Sequence, residues 1–129
     1  ILDGKTNIVL SLLDAEAAID AGAIRKKMNI SIGEYELYDE INEKLFKTQV
    51  KMLDWACDNI DSSVSEEQSK CGVSYYRRRV PSESELDVSK SIESQFNLLR
   101  MCDNKRFPAF INIGGHSFNI YLSRRDNDE

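Results

Sequence analysis

The spacing of apolar and polar positions divides the chain into a few elements. Asn7-Ile8-Val9-Leu10-Ser11-Leu12-Leu13 is a short, partly β-branched apolar run after the turn-prone Asp3-Gly4, and it predicts a strand buried on both faces. Ile24, Met28, Ile30 and Ile32 are interleaved with Arg25, Lys27, Asn29 and Ser31, the period of two expected of a strand with one wet face. From Glu34 to Ile60 the period lengthens: Leu37, Ile41, Leu45, Met52, Ala56 and Ile60 fall at helical spacing. This predicts one long amphipathic helix, with Tyr38, Val50, Leu53 and Cys57 widening its apolar face. Residues 61–70 are small, polar and acidic without periodicity, so they read as a mobile loop or linker. Pro81 favours extended backbone just before it. Asp87 or Ser89 then stands where it can cap a second helix, with Ile92, Phe96 and Leu99 on one face and an end near Asp103-Asn104. Ile111 and Ile113 face Phe118, Ile120 and Leu122 across Gly114-Gly115, which predicts a β-hairpin, and Arg124 to Glu129 is a charged tail expected to fray.

Composition narrows the class. A chain of 129 residues suits one core, and no apolar run is long enough for a membrane helix. The net charge of −5, from 17 basic and 22 acidic residues, argues against a general nucleic-acid binder. Cys57, Cys71 and Cys102 match no metal or redox spacing and suit a reducing cytosol, so a cytoplasmic location is expected and no metal site is. The chain starts at Ile1 without a signal-peptide pattern, and it is expected to be a piece of something longer.

Two segments carry candidate chemistry. Asp14, Glu16 and Asp20 lie on the connection between the first two strands, where carboxylates can orient a histidine or take part in proton transfer. A solvated acidic turn accounts for the same spacing, and Gly22 permits a tight turn or close approach to a ligand. In Tyr75-Tyr76-Arg77-Arg78-Arg79-Val80-Pro81, three arginines and two aromatic rings offer forked donors for phosphate and flat faces for a base. Charge balance with Glu83, Glu85 and Asp87 is the simpler alternative. Alternation along an extended segment would send Arg77 and Arg79 one way and Arg78 the other. Asn97 and Arg100, three apart on a helix, share a face that can meet a sugar or diphosphate, while Asp103 and Asn104 are expected to cap the helix and tether the hairpin. His116, at the hairpin turn, is expected to be exposed and without a catalytic role. Trp55, Tyr35 and Tyr38 are placed on the long helix as packing residues or a subunit contact.

Asp20-Ala21-Gly22-Ala23-Ile24, after Leu12-Leu13-Asp14-Ala15-Glu16, resembles the Asp-x-Gly-x-Ile element of the formyltransferases that use N10-formyltetrahydrofolate. The run from Tyr76 to Asp87, then Ser91 to Arg100, Asp103-Asn104 and Phe107-Pro108-Ala109-Phe110, is similar to the C-terminal region of nucleotide-sugar N-formyltransferases. The resemblance implies that Asp20 is the catalytic aspartate, and that Asp14, Ala15, Glu16, Ala17 and Gly22 form the loop against which the folate lies. It further implies that Tyr75, Tyr76, Arg77, Arg79, Asn97 and Arg100 serve a nucleotide-linked amino sugar. The family's Asn-x-His and His-x-Ser segments precede the Asp element and have no counterpart here. On this resemblance the fragment alone is expected to be inactive.

The expected fold is α/β: the edge of a Rossmann-like formyltransferase catalytic domain, one long amphipathic helix, then a C-terminal helix and β-hairpin. The expected divisions are 1–61 (catalytic part), 62–71 (linker or mobile loop), 72–123 (C-terminal subdomain) and 124–129 (tail). The implied parent activity is formyl transfer to an amino deoxysugar for lipopolysaccharide O-antigen or other surface glycan, by a cytoplasmic homodimer. Two alternatives stand beside it. One is a methionyl-tRNA formyltransferase-like enzyme, disfavoured by the acidic balance. The other is a non-catalytic nucleotide-sugar-binding or dimerisation module.

Overall fold

The computed structural model describes residues 1–69 and 75–125. The elements run β1 (Asn7–Leu13), β2 (Ile24–Ser31), α1 (Tyr38–Asn59), α2 (Phe96–Arg100), β3 (Ala109–Ile113) and β4 (His116–Ile120), with 3₁₀ turns at Pro81–Ser84 and Glu93–Gln95. They group into two compact units. One comprises Ile1–Thr6, Gly33–Ile41 and Arg78–Glu129; the other comprises Asn7–Ile32 and Asn42–Arg77.

In the second unit β1 and β2 form an antiparallel ladder from Asn7↔Ser31 to Leu12↔Lys26, after which Leu13 pairs with Ile24 and Arg25 is left over as a bulge. Burial along β1 alternates and Val9 is 53% exposed, so this strand is covered on one face, not both as its apolar run predicts. The run suits a strand within a larger sheet, but here the ladder is two-stranded and, among the described residues, nothing covers Val9. On β2 the expected alternation is present, with Ile30 buried between exposed Asn29 and Ser31. Ile24 also exchanges both backbone hydrogen bonds with Glu66 (2.7 and 2.9 Å), so the 62–69 segment is tied to the free side of β2; residues 70 and 71 of the expected linker lie outside the described residues.

Helix α1 is shorter than its periodicity implies, running from Tyr38 to Asn59 rather than from Glu34 to Ile60. The carbonyls of Gly33 and Glu36, which a longer helix would use, accept hydrogen bonds from Arg100 Nη1 (3.0 and 2.9 Å). Glu40 instead reaches back to the Leu37 N–H (2.7 Å) and sits in the first turn, where the helix dipole favours negative charge. Tyr35 therefore precedes the helix and packs its ring 6.0 Å from that of Phe96. Ile41 and Met52 are buried, whereas Phe46, Val50, Leu53 and Cys57 form an exposed stripe. Trp55 is half-buried beneath the Lys26 ammonium, 4.9 Å from its ring centre.

The core of the first unit consists of Leu86, Leu99, Cys102 and Ala109, against which Leu98, Ile111, Ile120 and Leu122 pack. The second helix is much shorter than its spacing predicts, and Ile92 is 67% exposed. Gln95 accepts from the Asp87 N–H (2.7 Å) and donates to the Asp87 carbonyl (3.0 Å), while Ser94 bonds back to Ser91. These side chains take over backbone groups that a helical turn would otherwise need. The β3–β4 hairpin has five in-register pairs around Gly114 and Gly115, whose φ values of 58° and 82° are the left-handed pair a two-residue turn demands. Asn104 tethers it by bonding the Leu122 backbone at both carbonyl and N–H, as the sequence suggests. Arg124 does not fray: it grips the Glu40 carboxylate at 2.6 and 3.0 Å, and 126–129 lie outside the described residues.

Candidate functional site

The connection between β1 and β2 turns back on itself at a point where no side chain fits. A Cβ on Gly22 would stand 1.8 Å from the Asp14 carbonyl oxygen, so glycine here serves close approach of the chain's own backbone. Next to this crossing, Asp14 N donates to Ala23 O (2.9 Å) and the Asp14 carboxylate accepts from Arg25 Nε (2.7 Å). The bulge aims Arg25 so that its Nη1 also reaches the Ser63 carbonyl (2.6 Å). Asp14 and Gly22 thus close the base of the loop. Beyond them Ala15, Glu16, Ala17, Ala18 and Ile19 are exposed, with Ile19 at 93%.

Asp20, two residues before Gly22, stands in the left-handed region (φ 57°), which short polar side chains tolerate better than most. Gln68 Nε2 donates to the carbonyls of both Asp20 and Gly22 (each 2.7 Å), fixing the backbone on either side of Ala21. The Asp20 side chain is exposed and makes no hydrogen bond or ion pair among the described residues. An acid held by its backbone, with its carboxylate open to a partner, is suited to accepting a proton or orienting a donor. Gln68 has no signal in the sequence, where it sits in a featureless polar stretch.

In the other unit a cleft of about 620 Å³ is lined by Tyr38, Arg78, Arg79, Val80, Pro81, Ser84, Met101, Cys102, Asp103 and Phe107. Arg78 and Arg79 both line it, contrary to the expectation that Arg77 and Arg79 pair on one side. That expectation assumes a strand, and residues 75–80 form none. Arg79 Nη2 donates to Glu83 O (3.0 Å), and Val80 N donates to Glu83 Oε2 (2.7 Å), which folds the segment over Pro81. Tyr75 and Tyr76 are 93% and 73% exposed and, with Arg77, belong to the other unit.

Asp103 contributes the cleft's negative charge. Its Oδ1 accepts from the Lys105 and Arg106 N–H groups (2.9 and 3.2 Å) and its Oδ2 from Arg106 Nε (2.7 Å). The Arg106 guanidinium, aided by the Lys105 N–H, holds this carboxyl down to about 2. Arg106 also donates to the Tyr38 hydroxyl (3.3 Å).

Asn97 and Arg100 share a face as expected, but they serve each other and the fold. Arg100 is 4% exposed, with Nε on Asn97 Oδ1 (2.8 Å) and Nη1 on the two carbonyls ahead of α1. Arg100 also borders a smaller cavity of about 270 Å³, together with Glu40, Asn104 and Arg124. His116 is exposed at the start of β4. No group of three or more His, Cys, Asp or Glu side chains among the described residues is arranged to hold a metal ion, and no helix among them is long and apolar enough to cross a membrane.

No family model matches the sequence. Solved structures do match the fold. The chain superimposes on a methionyl-tRNA formyltransferase from Clostridium thermocellum with a TM-score of 0.76 and 19% identity, over 99% of this chain and 55% of that one. An uncharacterised Mycobacterium tuberculosis protein considered a sugar N-formyltransferase gives 0.76 at 14% identity, over 98% and 57%. A 4-N formyltransferase from Francisella tularensis gives 0.69 at 16% identity, over 87% and 49%. The chain spans about half the length of each. Its mixed α/β arrangement, with two α-helices and two small antiparallel sheets among the described residues, is that of a fragment of the formyltransferase fold.

Proposed function

We propose that this chain is part of an enzyme that transfers a formyl group to the amine of a nucleotide-linked amino sugar. The observation carrying this reading is the fold match to formyltransferases together with Asp20, held by its backbone in the β1–β2 loop with an open carboxylate. In this reading residues 1–61 belong to the catalytic domain, 62–71 are a linker, 72–123 are a C-terminal subdomain and 124–129 a tail. The enzyme works as a cytoplasmic homodimer in surface-glycan synthesis.

The proposed donor is N10-formyltetrahydrofolate, which supplies an activated formyl carbon when bound. The loop suits one side of such a molecule. Ala15, Ala17 and Ala18 are exposed and small, so a flat ring can lie close to the backbone there, with Glu16 beside it. Asp14 and Gly22 do not offer themselves to a ligand: the space at Gly22 is filled by the Asp14 backbone, and the Asp14 carboxylate is occupied by Arg25. Their role is to set the loop's shape. Asp20 orients a neighbouring donor and holds a proton at its carboxylate as the attacking amine loses one.

Equal fold similarity to a methionyl-tRNA formyltransferase favours a second reading, with an RNA-linked acceptor, against which the net charge of −5 weighs. Incubating the full-length protein with the formyl donor and, separately, uridine- and thymidine-diphosphate amino sugars and methionyl-tRNA decides between them. Formylation of a nucleotide-linked sugar is expected. Formylation of methionyl-tRNA alone would replace this reading with the second, and formylation of none would end both.

A further inference from the structure

Among the described residues, Asp20 is the one non-glycine position with a positive φ. Such a backbone persists where its surroundings over-determine it. Residues 15–19, just ahead of it, are exposed, so the constraint comes from elsewhere. It comes from Gln68, 48 residues further along, whose side-chain amide has two N–H donors. One is given to the Asp20 carbonyl and one to the Gly22 carbonyl, each at 2.7 Å.

The need of those carbonyls for a donor does not account for the arrangement. The bond to Asp20 is exposed, and water would satisfy that oxygen as well. Water would not hold it in one direction. A carbonyl fixed in direction fixes the whole peptide plane that follows Asp20, and with it the start of the Asp20 side chain.

Gln68 can act this way because its own segment is anchored. Two residues before it, Glu66 exchanges both backbone hydrogen bonds with Ile24 (2.7 and 2.9 Å), and Arg25 Nη1 holds the Ser63 carbonyl (2.6 Å). Residues 63–68 thus form a brace that runs from the start of β2 to the loop carrying Asp20. Rigid support behind a reacting group is what keeps it within the narrow range of productive geometry.

We propose that Gln68 is a positioning residue for the formyl transfer: it holds Asp20 in the left-handed conformation from which the carboxylate meets the reacting amine. The proposal rests on the reading of Asp20 given above. Gln68 acts through Asp20, on the rate of the chemical step and not on the affinity for donor or acceptor.

Two substitutions in the full-length protein test it. Gln68→Met keeps the length of the side chain and removes both donors; Gln68→Glu keeps its shape and, when ionised, turns only acceptors toward the two carbonyls. Each is made alone and together with Asp20→Asn, and circular dichroism checks that the fold is kept; the Glu variant carries the test if the Met variant does not fold. Transfer is measured from N10-formyltetrahydrofolate to the nucleotide-linked amine that the wild type formylates. Each single variant is expected to lower kcat by about 10- to 100-fold with KM within about twofold, the cost of a misplaced reacting group. In the Asp20→Asn background the same changes should cost nothing further, because the two residues act as a unit. The deficit of Gln68→Glu relative to the wild type should shrink at lower pH, where a protonated carboxyl regains one donor. An unchanged kcat in a folded variant, a loss carried by KM, or a loss repeated in full beside Asp20→Asn overturns the proposal. If the Gln68 variants keep their rate while Asp20→Asn loses it, the positioning role falls and the reading of Asp20 stands. If Asp20→Asn loses nothing, or no amine is formylated, that reading fails and the role of Gln68 fails with it.

Discussion

The two antiparallel ladders of this protein are built on opposite principles. In the β3–β4 hairpin, two glycines at φ 58° and 82° make the turn and five residues pair in register on each side, with nothing within 4 Å of where their side chains would be. In the β1–β2 ladder, the connecting residues return through a crossing at Gly22 and a bulge at Arg25, and are held by Asp14, Arg25 and Gln68 reaching parts of the chain far apart in sequence. The first turn is specified by its own two residues. The second needs distant anchors, and in return it holds a shaped loop in which Asp20 is fixed by its backbone and exposed by its side chain. Loops that carry chemistry are often of this second kind, because anchoring from outside frees the tip residues from a structural role.

The sharpest way to break the contrast is to add one methyl group to each turn. Gly22→Ala drives a Cβ into the Asp14 carbonyl, a backbone atom with no rotamer to move, and should cost about 3 kcal/mol or more or abolish the native loop. Gly114→Ala meets open space and bears only the left-handed backbone cost of about 1 kcal/mol, most of which Gly114→Asn should recover. Urea unfolding followed by Trp55 fluorescence and by far-ultraviolet circular dichroism gives both values.

Cutting an anchor should fall between those two. Arg25→Met removes the hydrogen bonds to the Asp14 carboxylate and the Ser63 carbonyl; with the Arg25 and Asp14 side chains 25% and 34% exposed, about 1–2 kcal/mol is expected in the same unfolding experiment. Its more telling effect is faster amide hydrogen exchange at Asp14 and Ile24, with the β3–β4 amides unchanged.

The smallest effect belongs to pH. Asp103 titrates near 2 in the folded protein, against about 3.9 in an unfolded chain, because Arg106 and the Lys105 N–H favour its anion. Its contribution is therefore complete above about pH 4 and fades as pH falls toward 2. Asp103→Asn should flatten that part of the acid dependence of the urea midpoint, a change expected only in the unit that holds β3 and β4.

What was legible in the sequence follows the same division. The hairpin could be read from Gly114-Gly115 and its alternating flanks, and α1 from its periodicity, because both signals are local. The start of α1 could not, since Arg100, more than sixty residues on, claims the carbonyls before it. Nor could the shortness of α2, where Gln95 and Ser94 divert backbone groups. In the candidate site, Asp20 and the arginine run stood out by residue type and resemblance. The pairing of Arg78 with Arg79 did not, because alternation applies to strands and this stretch is irregular. Asp103 reads in the sequence as a capping residue, and Phe107 carries no signal of its own there; the cleft places both beside those arginines.

In the proposed function the anchored β1–β2 loop presents Asp20 for proton transfer. Asp20→Asn tests it cleanly, since asparagine tolerates the same left-handed backbone and the Gln68 bonds are to carbonyls, not to the side chain. Single-turnover formyl transfer should be measured for the full-length wild-type and Asp20→Asn proteins with the nucleotide-linked amine that the acceptor comparison identifies. The expected result is a loss of roughly 10²–10⁴-fold in rate with amide exchange around the loop unchanged; an undiminished rate in a folded Asp20→Asn protein would contradict it.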